Sequence, residues 1–136
     1  MTRRYVHRER VRFGDLDANA HLNNVVYLRY FETARIAYMR EIVPTHAPGT
    51  RDRPESGLIF AECHIRYRSP VHFDEEVTIT CWIGEVRRSA FQMCFEMKVD
   101  ERPVAEGHGW LVGFDYAHQK ASRLSDVLRA KLEAAA

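Results

Sequence analysis

From Asn24 to about Ile42 the apolar residues recur at a helical period and leave almost no polar face. At about 100° per residue, Arg29, Thr33 and Arg40 fall on one narrow stripe. Val25, Tyr27, Leu28, Phe31, Ala34, Tyr38, Met39 and Ile42 take most of the remaining circumference. A helix apolar over so wide an arc has to be enclosed by other structure, unlike a surface helix with a single apolar stripe. Asn23 or Asn24 can cap its start, because a short side-chain acceptor satisfies an otherwise free amide there. Pro44 and Pro48 stop it. Whatever this chain folds into must surround that helix.

The material to surround it reads as strands. Tyr5 to Phe13 alternates apolar and charged residues, with Val11 and Phe13 against Arg10 and Arg12, as a half-buried strand does. After a polar loop from Pro44 to Gly57 come further strand candidates: Leu58 to Arg68, Glu76 to Val86, Ala90 to Val99 and Val104 to Phe114. Alternation is clearest in Val77/Ile79/Cys81/Ile83 and in Phe91/Met93/Phe95/Met97/Val99. The links SPVHFDE, RRS and DERP are short, which favours antiparallel hairpins. Ser122 to Ala136 reads as a short amphipathic helix. The expected fold is α+β, with a five-stranded antiparallel sheet curled around a long central helix. A length of 136 residues suits one domain spanning 1–136. There is no internal repeat.

Composition removes several functions. A formal net charge of +1 gives no global field toward nucleic acid or an anionic membrane, so an anionic ligand needs a local basic cluster. Cys63, Cys81 and Cys94 form neither a CxxC pair nor a metal-ligand spacing, and an odd number does not close a disulfide framework. They read as reduced core thiols of a cytoplasmic protein. MTRRYVHRER has no signal-peptide core, and no apolar run is long enough to span a bilayer.

The chemistry gathers in Gly14 to Asn23, a loop poor in periodicity that leads straight into the helix. Asp15, Asp17, Asn19 and His21 stand at every second position. Capping explains one or two of them, such as Asn23 and Asp15, since Asx residues satisfy free amides at a positive helix end. It does not readily explain all four, nor a histidine at that end. D-x-D-x-N also opens a calcium loop, but Ala20 stands where the turn glycine belongs and Val26 where the bidentate Glu belongs. The remaining reading is a hydrolytic site. A helix N-terminus offers unpaired amides that polarise a carbonyl. A carboxylate beside it activates water or attacks directly, and Asn and His side chains orient the parts.

RFGDLDANAHLNNVVYLRYFETAR resembles the signature of hotdog-fold thioesterases, particularly the 4-hydroxybenzoyl-CoA thioesterase-like group. The pattern is D-x-D-x-x-x-H-x-N-N-x-x-Y-x-x-Y-F-E-x-A-R. The D-L-D-A-N-A-H-L-N-N core is also similar to the catalytic loop of plant acyl-ACP thioesterases. Downstream, I-x-Y-x-S-P-V-x-F-D-E-E-V is similar to the family's second-strand and turn pattern. The resemblance covers nearly the whole chain and is loosest over the last strand and tail.

It implies an acyl-thioester hydrolase that releases free acid and CoA. Asp17 would be nucleophile or general base, with Asn19 and His21 as its polar partners. The backbone amide of Asn24, with its neighbour Val25, would polarise the thioester carbonyl. Tyr27 is core packing by its position, though near enough to the helix start to line an acyl pocket. Glu32 matches the acid that some groups carry on the central helix, but lies roughly two turns along and reads as a structural contact. Arg66, Arg68, Arg87 and Arg88 could hold the phosphates of CoA, or simply form a solvated strand face. His64, His72 and His108 read as hydrogen-bonded structure, and Trp82 and Trp110 as packing in the sheet or a subunit contact. No metal and no cofactor is called for. The substrate would be an acyl-CoA or acyl-ACP, with neither nucleic acid nor membrane as partner. The family joins two sheets edge to edge, so a homodimer or homotetramer is expected; exposed edges need cover.

Two rivals stay open. A hotdog enoyl-CoA hydratase would carry G-D-x-N-P-x-H; Gly14-Asp15 begins so, but Asp17 replaces the Asn and His21 is displaced by one position. A non-catalytic acyl-thioester binder has little need of Asp17, Asn19 and His21 together.

Overall fold

The computed structural model describes residues 3–44 and 57–136. The elements run β1 (Arg4–Arg10), a 3-10 turn (Phe13–Asp15), α1 (Asn24–Ile42), β2 (Leu58–Tyr67), β3 (Glu76–Val86), β4 (Ala90–Val99), β5 (Arg102–Asp115), β6 (Lys120–Ala121) and α2 (Asp126–Ala135). The sheet is antiparallel in the order β1-β3-β4-β5-β2, with β6 pairing β5. The expected α+β architecture is present, with six strands instead of five.

Alternation decides which face is core. Val77, Ile79, Cys81 and Ile83 of β3 and Phe91, Met93, Phe95, Met97 and Val99 of β4 all point inward and are buried. Against them α1 lays Phe31, whose ring stacks on Phe95 at 4.2 Å, with Ala34, Tyr38 and Met39. Helix α2 crosses β3 as well, seating Leu128 and Leu132, and Ser125 caps it by accepting the Leu128 amide at 3.1 Å. The last helix is therefore shorter than Ser122 to Ala136.

Three expectations about burial need correction. The first strand ends at Arg10; Val11 stays buried, but Phe13 turns outward on the 3-10 turn and is 78% exposed. Along α1 the buried positions are Val26, Tyr27, Tyr30, Phe31, Ala34, Tyr38, Met39 and Ile42, whereas Val25 and Leu28 face out. The helix is thus buried on one face and exposed at Val25 and Leu28 on the other. It ends at Ile42 with Val43 as C-cap, ahead of Pro44; Pro48 and most of the polar loop lie outside the described residues.

The outer face of the sheet carries the tryptophans, each under a guanidinium: Arg4 over Trp82 at 4.3 Å and Arg87 over Trp110 at 4.2 Å. His64 and His108 are cross-strand partners there, with ring centroids 5.7 Å apart. Burial pushes the Cys81 thiol up to about 12, so it is a packing residue rather than a nucleophile. No helix among the described residues is long and apolar enough to cross a membrane.

At Gly107 of β5 a Cβ would run into the His64 carbonyl oxygen of β2. Gly107→Ala is expected to lower stability by about 1–3 kcal/mol, the usual cost of forcing an extra methyl into a packed site. A fall in the urea midpoint at unchanged slope would record it.

Candidate active site

The loop between the 3-10 turn and α1 is built around two carboxylates with different surroundings. Asp15 is buried, at 8% exposure. Its Oδ2 accepts the Arg12 amide at 3.0 Å and the Tyr30 hydroxyl at 2.9 Å, and Arg29 stands 3.8 Å from Oδ1. Its carbonyl accepts the Asn23 amide at 2.9 Å. Burial, then the hydrogen bond to Asp15, raises the Tyr30 hydroxyl far above its ordinary value, so Tyr30 remains a neutral donor. Asp15 therefore ties the loop to the first turns of α1 and braces its cap, which is Asn23 alone. Asp15→Ala would orphan two donors at about 1–3 kcal/mol each. A loss of roughly 2–4 kcal/mol is expected by urea unfolding, with Tyr30→Phe the smaller effect.

Asp17 has no such embrace. Its Oδ1 accepts the amides of Asn19 at 2.8 Å and His21 at 3.2 Å, while its own amide donates to the His21 carbonyl at 2.8 Å. This tight turn holds Ala20 at φ 61, a left-handed conformation that costs a non-glycine residue about 1–2 kcal/mol. Among the described residues Oδ2 of Asp17 accepts no hydrogen bond and no cation pairs with it. One oxygen is fixed and the other is open.

Asp17 lines a cleft of about 340 Å³, with His21, Leu22, Asn24 and Tyr27 on its side and Tyr67 to Pro70 on the other. Asn23 caps α1, its Oδ1 accepting the Val25 amide at 3.2 Å, and the Val26 amide donates to the Asn23 carbonyl at 2.9 Å. The Val25 amide is therefore already engaged, and its side chain is 59% exposed. Of the two expected carbonyl-polarising amides, Asn24 alone remains without a protein acceptor among the described residues. Tyr27 is buried, with its hydroxyl 3.4 Å from the Ser69 carbonyl; burial, with Tyr67 beside it, raises that hydroxyl above its ordinary value.

The expected set is brought together only in part. Asp17, His21, Asn24, Tyr27 and Arg68 share the cleft. Asn19 supplies a backbone amide, but its side chain is not on the cleft wall. Arg66 lies on the outer face opposite Glu106, and Arg68 is ion-paired to that same Glu106. Arg87 and Arg88 follow the far end of β3, roughly 30 Å from the loop at about 3.3 Å per residue. Arg87 is held there by Glu85 at 3.1 Å. Neither arginine lines the cleft that holds Asp17. Glu32 is exposed and stands 4.0 Å from Arg35, away from the cleft, as a structural contact would.

Tyr67 is not among the residues the sequence singles out, yet it forms a wall of the cleft. Its ring sets its edge against Tyr27 at 5.0 Å, and its hydroxyl donates to the Asn24 carbonyl at 3.0 Å. The sequence does carry a signal for it: an aromatic at the end of an alternating strand, inside the I-x-Y-x-S-P motif. Ser69 and Pro70 of that motif complete the wall.

Solved structures superpose on nearly the whole chain. A thioesterase from Thermus thermophilus, complexed with coenzyme A and Zn, is 27% identical with a TM-score of 0.82, over 96% of this chain and 92% of that one. The PA2801 protein of Pseudomonas aeruginosa is 25% identical with a TM-score of 0.79, over 93% and 95%. BH1999 gentisyl-coenzyme A thioesterase, at 21% identity and a TM-score of 0.80 over 93% and 98%, shares the fold. That fold is the hotdog fold. A search of curated proteins returns no match. The family model of the thioesterase-like superfamily matches residues 11–132, nearly the full length, and the chain belongs to that superfamily.

Proposed function

We propose that this protein hydrolyses acyl-CoA thioesters to free acid and CoA, with Asp17 as nucleophile or general base. The observation that carries the reading is the half-fixed carboxylate. Two amides hold Oδ1 of Asp17 while Oδ2 has no hydrogen-bond partner among the described residues, and Asp17 lines a cleft whose wall includes the start of α1. As base, Oδ2 takes a proton from water as that water adds to the thioester carbonyl. As nucleophile, it forms an acyl anhydride that water then cleaves. Either way the carbonyl oxygen gains negative charge, and the Asn24 amide at the positive helix end is the donor suited to receive it. The leaving group is a thiolate, which needs little help near neutral pH because thiols ionise close to about 8.5.

CoA is preferred as the carrier because the 27% identical Thermus thermophilus thioesterase is complexed with it. Arg68 is the one expected basic residue at the cleft, and it is offered as a phosphate contact that must first leave Glu106. Tyr27 and Tyr67 would form the acyl end. A protein active as a homo-oligomer in the cytoplasm fits this reading. The test is thiol release from short, long and aromatic acyl-CoAs, followed with a thiol reagent. Thiol release from at least one of them supports the proposal. Loss of enoyl absorbance without thiol release would replace it with a hydratase, and tight binding without turnover would replace it with a binder.

A further inference from the structure

Beside the cleft stands a second histidine. The Leu22 amide donates to the Val71 carbonyl at 2.7 Å, which sets the residues next to them, His21 and His72, opposite each other. Their rings lie 5.3 Å apart with perpendicular planes. His72 is itself gripped. Oε1 of Glu75 accepts its backbone amide at 2.7 Å and lies 3.3 Å from its Nδ1. The other oxygen, Oε2, accepts from Arg102 at 2.8 Å. Arg102 in turn donates to the Pro70 carbonyl at 2.6 Å and to Ser69 Oγ at 3.1 Å, both on the cleft wall. Burial pushes the Glu75 carboxyl up, but the His72 amide and the Arg102 guanidinium outweigh it and hold the group below its ordinary value.

The two histidines are thus held by two carboxylates in parallel fashion. Asp17 binds the backbone of His21, and Glu75 binds the backbone and ring of His72. Glu75 can only accept, so the contact favours a proton on Nδ1 of His72 and restrains the ring's angle. An imidazole on a loop is otherwise free to rotate about two side-chain bonds. A restrained neighbouring ring 5.3 Å away removes part of that freedom for His21.

We propose that His72, locked by Glu75 and Arg102, is a positioning residue that sets the orientation of the His21 imidazole at the cleft. It does not touch the reacting atoms; it acts through His21. The inference rests on the cleft being the hydrolytic site, so its test needs one readout that works without turnover. His72→Ala removes the ring, His72→Phe keeps a flat ring but loses the bond to Glu75, and Glu75→Gln puts an amide nitrogen where one of two acceptor oxygens stood.

Kinetically, His72→Ala and Glu75→Gln are expected to lower kcat by roughly 10- to 100-fold, because small misplacements of supporting groups cost about that much. KM should stay within about twofold, and His72→Phe should recover part of the loss. In NMR spectra the imidazole resonances of His21 should move in Glu75→Gln, although that substitution touches only His72, Arg102 and the backbone. Unmoved His21 resonances together with wild-type kcat would overturn the proposal. A kcat loss that merely follows an equal loss of thermal stability in all the variants would also overturn it, since that marks a structural role. Should the wild-type protein release no thiol from any acyl-CoA, the hydrolytic reading fails, and the His21 resonances still decide whether His72 sets the ring.

Discussion

Asp17→Asn is expected to lower kcat for thiol release by about 10²–10⁴, the contribution of a positioned base. KM, Tm and the far-ultraviolet spectrum should stay close to wild type. The split follows from the two oxygens of Asp17. The structural work is done by Oδ1, which accepts the Asn19 and His21 amides, and an asparagine carbonyl oxygen still accepts both, though without the charge assistance. The chemical work falls to Oδ2, and an amide nitrogen in its place can neither take a proton from water nor attack a carbonyl. The comparison is clean because no cation pairs with Asp17 among the described residues, so removing the charge strands no partner. Asp15→Ala makes the contrast. Its oxygens brace the loop against Arg12 and Tyr30, and its first effect should be on the unfolding midpoint. If Asp17→Asn hydrolysed thioesters at the wild-type rate, Asp17 would not be the catalytic carboxylate.

That contrast between two neighbouring aspartates is partly legible in the sequence. Asp15 reads as a structural, capping residue because it stands close to the start of a helix, a local property. Its deepest partner, Tyr30, sits fifteen positions on, two turns into α1, at a spacing no pattern flags. Strands β3 and β4 are legible to the residue because their alternation is strict and their faces differ sharply in burial. Strand β6 is not, since two residues have no period and owe their pairing to Phe114 and Asp115 alone. Phe13 continues the parity of β1 but leaves the core because the chain turns there, with Asp15 drawing in the Arg12 amide.

The arginines show the other limit. Arg66, Arg68, Arg87 and Arg88 look equivalent as strand-end cations. Which end of the sheet each occupies depends on strand order, and only Arg68 is placed at the cleft. The same holds for His72. A scattered histidine carries no signal: Glu75 is local to His72, but its neighbour His21 comes from the loop before α1 and Arg102 from the start of β5. Local chemistry is readable along the chain, while convergence from distant segments is not.

The second large effect concerns a single hydrogen. Asn24 is the first residue of α1, and Asn23 before it is extended, at φ −61 and ψ 134. Proline is tolerated at the first helical position, where its fixed φ suits the helix and its missing N–H is one the helix does not use. The extended conformation of the preceding residue is also the one proline demands. Asn24→Pro should therefore leave α1 intact, with the Asn23 cap on Val25 still in place, while deleting the one amide assigned to the thioester oxygen. A lost oxyanion donor costs about 10²–10³ in kcat. That loss is expected here, with little change in KM, because the bond strengthens only as charge builds on the oxygen. Asn24→Ala is the control: it removes the side chain and keeps the N–H, so its rate should lie near wild type. A proline variant that remains folded and turns over like the alanine one would move the oxyanion donor away from the helix start. A large loss in both variants would point to the Asn24 side chain on the cleft wall instead.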